Sequence, residues 1–72
     1  MNLLITFETI GEACDFGKFL KDRQFSPLIM PTPRSFSVSC SYCVVFEYNE
    51  KTDIKDFLKD NNVNYSKTFD IG

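Results

Sequence analysis

Histidine is absent from the 72-residue chain, which removes Ser-His-Asp triads, Cys-His dyads, imidazole metal sites and imidazole acid-base chemistry together. Three cysteines are too few for a four-cysteine zinc site, and a disulfide framework would leave one of them unpaired, so all three read as reduced thiols. No sign of charge dominates. Eight basic and ten acidic residues are spread along the chain for a net charge of −2, leaving no basic footprint for a phosphate backbone; nucleic acid is not an expected partner. No apolar run is long, and Met1-Asn2-Leu3-Leu4-Ile5 lacks the basic start and extended apolar stretch of a signal peptide. Neither a membrane nor export is expected, and the cytoplasm is the expected location. No metal or other cofactor is expected. Thiols, carboxylates, Lys and Arg remain for chemistry.

What is present is aromatic surface. Eight Phe and three Tyr, in a chain that is 43% hydrophobic, supply enough apolar area for one small domain over residues 1–72 and leave no room for a second. Each ring stabilises the fold by about 2 kcal/mol when buried.

Asn2 to Phe7 is a short Leu/Ile/Thr/Phe run that reads as a buried strand. Thr9-Ile10-Gly11-Glu12 has capping-box spacing and opens a helix, in which Ile10, Ala13, Cys14, Phe16, Gly17 and Leu20 take one side up to Asp22. Cys14 falls on that apolar stripe and reads as core. Gln24 to Met30 is a second extended run, in which Pro27 marks a strand start or an edge position; Pro31-Thr32-Pro33-Arg34 stops it, since two fixed φ angles and two missing amides oppose helix and ladder alike. From Ser35 to Tyr48 the residues alternate: Phe36, Val38, Cys40, Tyr42, Val44 and Phe46 on one parity, with Ser35, Ser37, Ser39, Ser41 and Cys43 on the other. This predicts the third strand, with room for an ordered loop before it. Ile54, Phe57 and Leu58 define a second amphipathic helix within Asn49 to Asn62, and Val63 to Ile71 a last strand. The order βαββαβ predicts an α+β fold of the ferredoxin-like kind, a four-stranded antiparallel sheet with two helices on one face.

Between Gln24 and Phe46 the only charged residue is Arg34. If the chain folds back, its fixed positive charge, with nearby hydroxyls and amides, lowers the pKa of the Cys40 thiol and turns it into a nucleophile. The plainer reading makes Arg34 a solvated charge after a turn and Cys40 a small buried residue on the Phe36/Val38/Tyr42 parity. Cys40-Ser41-Tyr42-Cys43 has CxxC spacing, but in a regular strand positions three apart face opposite ways. A bond between the two thiols requires Cys40 to lie in a loop before the strand. The carboxylates Glu12, Asp15 and Asp22, and Asp53, Asp56 and Asp60, fall on polar helix faces and form no evident acid-base pair.

Taken together, Leu4-Ile5-Thr6-Phe7-Glu8-Thr9, a helix, Pro31-Thr32-Pro33-Arg34, Ser39-Cys40, a strand and a second amphipathic helix resemble the small bacterial and archaeal family called putative Se/S carrier protein-like. A similar domain forms the C-terminal part of selenium-metabolism proteins that begin with a TusA-like sulfur carrier. The resemblance covers nearly the whole chain and implies that Cys40 accepts sulfur or selenium from a donor enzyme as a persulfide or selenosulfide. The chain then passes that atom to an acceptor protein, acting as a carrier or co-substrate rather than as an enzyme. Arg34 matches the family arginine and Ser39 precedes the family cysteine. Two positions depart from the family pattern: Ser41 stands where a Gly is usual, its hydroxyl able to hold a persulfide anion, and Cys43 stands where an aliphatic residue or Ala is usual. Cys43 is either a resolving thiol or, the favoured reading, the filling of an Ala-sized pocket.

Two other classes compete. An interaction or regulatory module would use the sheet face left open by the helices to bind a partner or a second copy, as a homodimer. An RNA-binding module shares the βαββαβ order, but Arg34-Ser35-Phe36-Ser37-Val38 lacks that motif's glycine and its neighbouring aromatic, and the charge is acidic.

Overall fold

The apolar run Asn2–Phe7 forms a strand buried on both sides, β1, and the rest of the chain is arranged around it. The computed structural model describes residues 1–72, in the order β1, α1 (Ile10–Asp22), β2 (Leu28–Pro31), β3 (Tyr42–Glu47), α2 (Ile54–Asp60) and β4 (Lys67–Asp70). The strands make one antiparallel sheet ordered β2-β3-β1-β4. This is the βαββαβ α+β arrangement expected from the sequence.

Both helices pack on one face. Leu3, Ile5 and Phe7 of β1 and Val44 and Phe46 of β3 meet Ala13, Phe16 and Leu20 of α1 and Phe57 and Leu58 of α2. Rings interlock there: Phe16 lies 5.4 Å from Phe7 and 5.7 Å edge-on to Phe46, and Tyr48 lies 5.4 Å from Phe57. At Gly17 the helix comes so near β2 that an added Cβ would stand 2.7 Å from the Ile29 side chain.

Several boundaries differ from the sequence reading. The Thr9 hydroxyl accepts from the Glu12 amide at 3.2 Å as expected, but the Glu12 carboxylate accepts from the Asn64 side chain at 2.8 Å. The buried stripe of α1 is Ala13, Phe16, Gly17 and Leu20; Cys14 is half-buried beside it and Ile10 is exposed. Strand β2 takes in Pro31, which an edge strand tolerates because its outer amides need no partner. The expected strand from Ser35 begins only at Tyr42. Prolines and serines satisfy the backbone locally there: Pro33 carbonyl accepts from the Phe36 and Ser37 amides, and Ser37 Oγ from those of Ser39 and Cys40. Helix α2 spans Ile54–Asp60 rather than Asn49 to Asn62. Val63 and Tyr65, expected in the last strand, pack against the helix-side core from a loop, and only Lys67–Asp70 pairs with β1.

The face away from the helices is not left open. Registers place Thr6 beside Cys43 and Lys67, and Leu4 beside Val45 and Phe69. Leu4 is 3% exposed, and Thr6 and Cys43 are fully buried. Their cover is the loop of residues 32–41, whose Phe36 ring lies 5.0 Å from Phe69. The middle of the surface that an interaction module would use is therefore occupied by the chain itself.

Candidate functional site

The 32–41 loop carries Cys40 onto β1. The turn after Pro33 reverses the chain, Phe36 anchors it on β4, and the Ser37 hydroxyl gathers the next residues by accepting from the amides of Ser39 (3.3 Å) and Cys40 (3.2 Å). Cys40 is left 7% exposed, facing the hydroxyl side of the β1–β4 pair. There Thr6 Oγ1 accepts from the Lys67 amide at 3.0 Å and Thr6 carbonyl accepts from the Ser66 amide at 2.8 Å, which fixes Thr6 and Ser66 side by side.

The hydroxyls of Ser66, Ser37 and Thr6, in falling order of effect, hold the Cys40 thiol below its ordinary pKa by donating to the thiolate. Burial works against them, and Ser39 adds a smaller lowering contribution. The cradle is made of neutral donors. Arg34, from which the sequence reading drew the lowering, is exposed on the turn, and the hydroxyls account for the shift.

Cys43 is three residues away and differs in every respect. It sits on β3 between Thr6 and Met30 with no exposed surface, and burial pushes its thiol up, partly offset by the Thr32 hydroxyl. Thr32 Oγ1 is itself buried with no hydrogen-bond partner. Ser41 carbonyl accepts from the Thr32 amide at 3.2 Å, continuing the β2–β3 ladder past Tyr42. Cys40 does lie in a loop before the strand, yet the stretch to Cys43 is extended rather than the turn or helix start that closes a CxxC pair, and both thiols are free.

Of the residues singled out in the sequence, Cys40 and Ser39 share the cradle, Cys43 lies behind it, and Arg34 and Ser41 are exposed. Thr6, Ser37 and Ser66 were missed. Thr6 had a signal, as the lone hydroxyl in a buried apolar strand, and so did Ser37, at local turn spacing from Cys40. Ser66 had none, because only the return of β4 brings it near.

A cleft with an apolar floor lies elsewhere, between α1 and the segment after α2, with Phe7, Phe16, Phe19 and Val63 beside Glu12 and Asp15. It shares no residue with the Cys40 cradle. No group of three or more Cys, Asp and Glu side chains converges to hold a metal ion, and no helix is long and apolar enough to cross a membrane.

What sets this site apart is one acidified thiol, presented by a serine-rich loop of a small α+β domain, three residues from a thiol that burial makes less acidic. More narrowly, the chain matches the family described as Putative Se/S carrier protein-like over residues 2–70, and it belongs to that family. No curated protein and no solved structure matches the chain in the same comparisons.

Proposed function

We propose that this domain carries sulfane sulfur or selenium on Cys40 between a donor enzyme and an acceptor protein. The observation that supports this most is the ring of hydroxyls around Cys40, which favours its thiolate while the neighbouring Cys43 is held as a thiol. In the loading step the Cys40 thiolate attacks the outer sulfur of a donor persulfide. A bond forms from Cys40 Sγ to that sulfur, the donor's S–S bond breaks, and the donor thiolate leaves with the electron pair. The product is again an anion at the same place, and the hydroxyls of Ser66, Ser37 and Thr6 serve it as they served the thiolate. Attack by an acceptor thiolate on the outer atom then delivers it and restores Cys40; selenium follows the same electron count.

Cys40 acts as the carrier atom, Ser39 supports the cradle, Ser41 lines the approach from solvent, and Arg34 attracts an anionic donor to the turn. Cys43 fills space behind the site. Free thiols suit a reducing compartment, the cytoplasm being the natural one. The test is to incubate the native protein with an organic persulfide and map the added atom by peptide mass spectrometry. One sulfur added at Cys40, transferable to a low-molecular-weight thiol and lost in Cys40→Ser, is the expected result; an unloaded Cys40 would falsify the carrier reading.

A further inference from the structure

Of the three clefts on the surface, one is lined by cations. Lys55 of α2, Lys67 of β4, Tyr65, Ser66, Thr68 and Phe69 enclose about 320 Å³ along the outer edge of β4. The other two clefts include carboxylates, Glu12 and Asp15 in one and Glu47 in the other. In a chain of net charge −2, a cleft with two ammonium groups, three hydroxyls and no carboxylate is a local reversal of sign. Its polar side chains are all able to donate hydrogen bonds, the set an oxyanion needs.

Three links join this cleft to the surroundings of the carrier thiol. Ser66 lines the cleft, its amide donates to the Thr6 carbonyl at 2.8 Å, and its hydroxyl is the foremost of those that favour the Cys40 thiolate. Phe69 forms another part of the wall and holds Phe36, on the loop that bears Cys40. Lys67 pairs in register with Thr6, and its backbone amide donates to the Thr6 hydroxyl, so that Lys67 and Cys40 flank the same atom.

Building on the carrier reading, we propose that the Lys55–Lys67 cleft binds a small sulfane donor with an oxyanion head, thiosulfate being the simplest of the class, and presents its outer sulfur to Cys40. The head takes the ammonium groups across the exposed edge of β4, and the outer sulfur lies toward Ser66. The Cys40 thiolate attacks that sulfur, a Cys40 Sγ–S bond forms, and the S–S bond of thiosulfate breaks. Sulfite leaves with the electron pair, so no further oxidant or reductant takes part. Lys67 also sits on an edge strand, where lysine deters strand pairing, but Lys55 is on a helix and has no part in that edge.

The experiment compares two donors on the native chain, thiosulfate and an organic persulfide without an oxyanion head, following sulfur on Cys40 by mass spectrometry and sulfite release alongside. In the double variant Lys55→Gln/Lys67→Gln, both sites being exposed, loading from thiosulfate should fall about tenfold or more, as expected when a cationic cleft is neutralised. Loading from the organic persulfide and the melting temperature should not change. Added salt should slow the thiosulfate arm in the parent and not in the variant. The proposal is overturned if the variant loads from thiosulfate like the parent, or if the parent loads from the persulfide alone; in both cases the carrier reading stands. Failure of both donors on the parent overturns the two together.

Discussion

On one side of the sheet, Leu3, Ile5, Phe7, Val44 and Phe46 are sealed by rings and branched chains from two helices; on the other, Leu4, Thr6 and Cys43 are sealed by a loop of serines and prolines. Both sides exclude water from the strands, but only the second brings hydrogen-bond donors. A thiol placed under the loop meets hydroxyls at its edge and dry surroundings at its centre. Cys40, at the edge, is acidified by donors, whereas Cys43, at the centre, is made less acidic by burial. Depth under one cover, over three residues of chain, separates a thiol that hydroxyls acidify from one that burial makes less acidic.

Alkylation under native conditions tests this contrast most sharply. Cys40 should react through small openings of the loop, while Cys43 should react only as the sheet opens, roughly a thousandfold more slowly. Peptide-resolved iodoacetamide kinetics measure both, and equal rates would dissolve the distinction. Next in size, Leu20→Ala on the helix side should cost about 3 kcal/mol by urea denaturation, as for a fully buried leucine. Phe36→Ala on the loop side should cost only about 1 kcal/mol, the worth of one aromatic pair, and should bring the Cys43 rate toward that of Cys40. Similar losses from the two would show the loop to be as much a part of the core as the helices.

Smaller still, Ser66→Ala should raise the apparent pKa of Cys40, read from the pH dependence of its alkylation, by more than Arg34→Ala does; the reverse order would return the acidification to the arginine. The smallest effect concerns stability against pH. Cys40 has a depressed pKa in the fold, so its contribution is present above the unfolded thiol value of about 8.5 and lost as pH falls through the folded one. Cys43 has a raised pKa, so its contribution is full below about 8.5 and lost as pH rises toward the folded value. Urea titrations of Cys40→Ala and Cys43→Ala between pH 7 and 10 should therefore diverge from the parent in opposite directions.

The element order and the helix-side core could be read from the sequence because hydrophobic period and capping are local. Thr9 with Glu12, the Ala13/Phe16/Gly17/Leu20 stripe and the Phe57-Leu58 pair each announce themselves within a turn or two. The 32–41 segment misled because alternating Ser and apolar residues imitate a half-buried strand, while Ser37 and Pro33 spend the backbone donors on local turns. Cys40 stood out by its place after the proline turn. Its surroundings did not, since Thr6 and Ser66 come from opposite ends of the chain and are joined only by the β1–β4 pairing.

The cradle is divided between two bodies. Thr6 and Ser66 belong to the sheet, Thr6 on a central strand that cannot shift without its neighbours, whereas Ser37 and Ser39 ride on the same loop as Cys40. An outward movement of the loop would part the sulfur from Thr6 and Ser66 and leave Ser37 and Ser39 beside it. On the carrier reading, the half on the loop would stay with the anion, and the half on the sheet would favour the closed position. A negative charge on Cys40 would thus tie the loop to the sheet, because hydroxyls of both favour it.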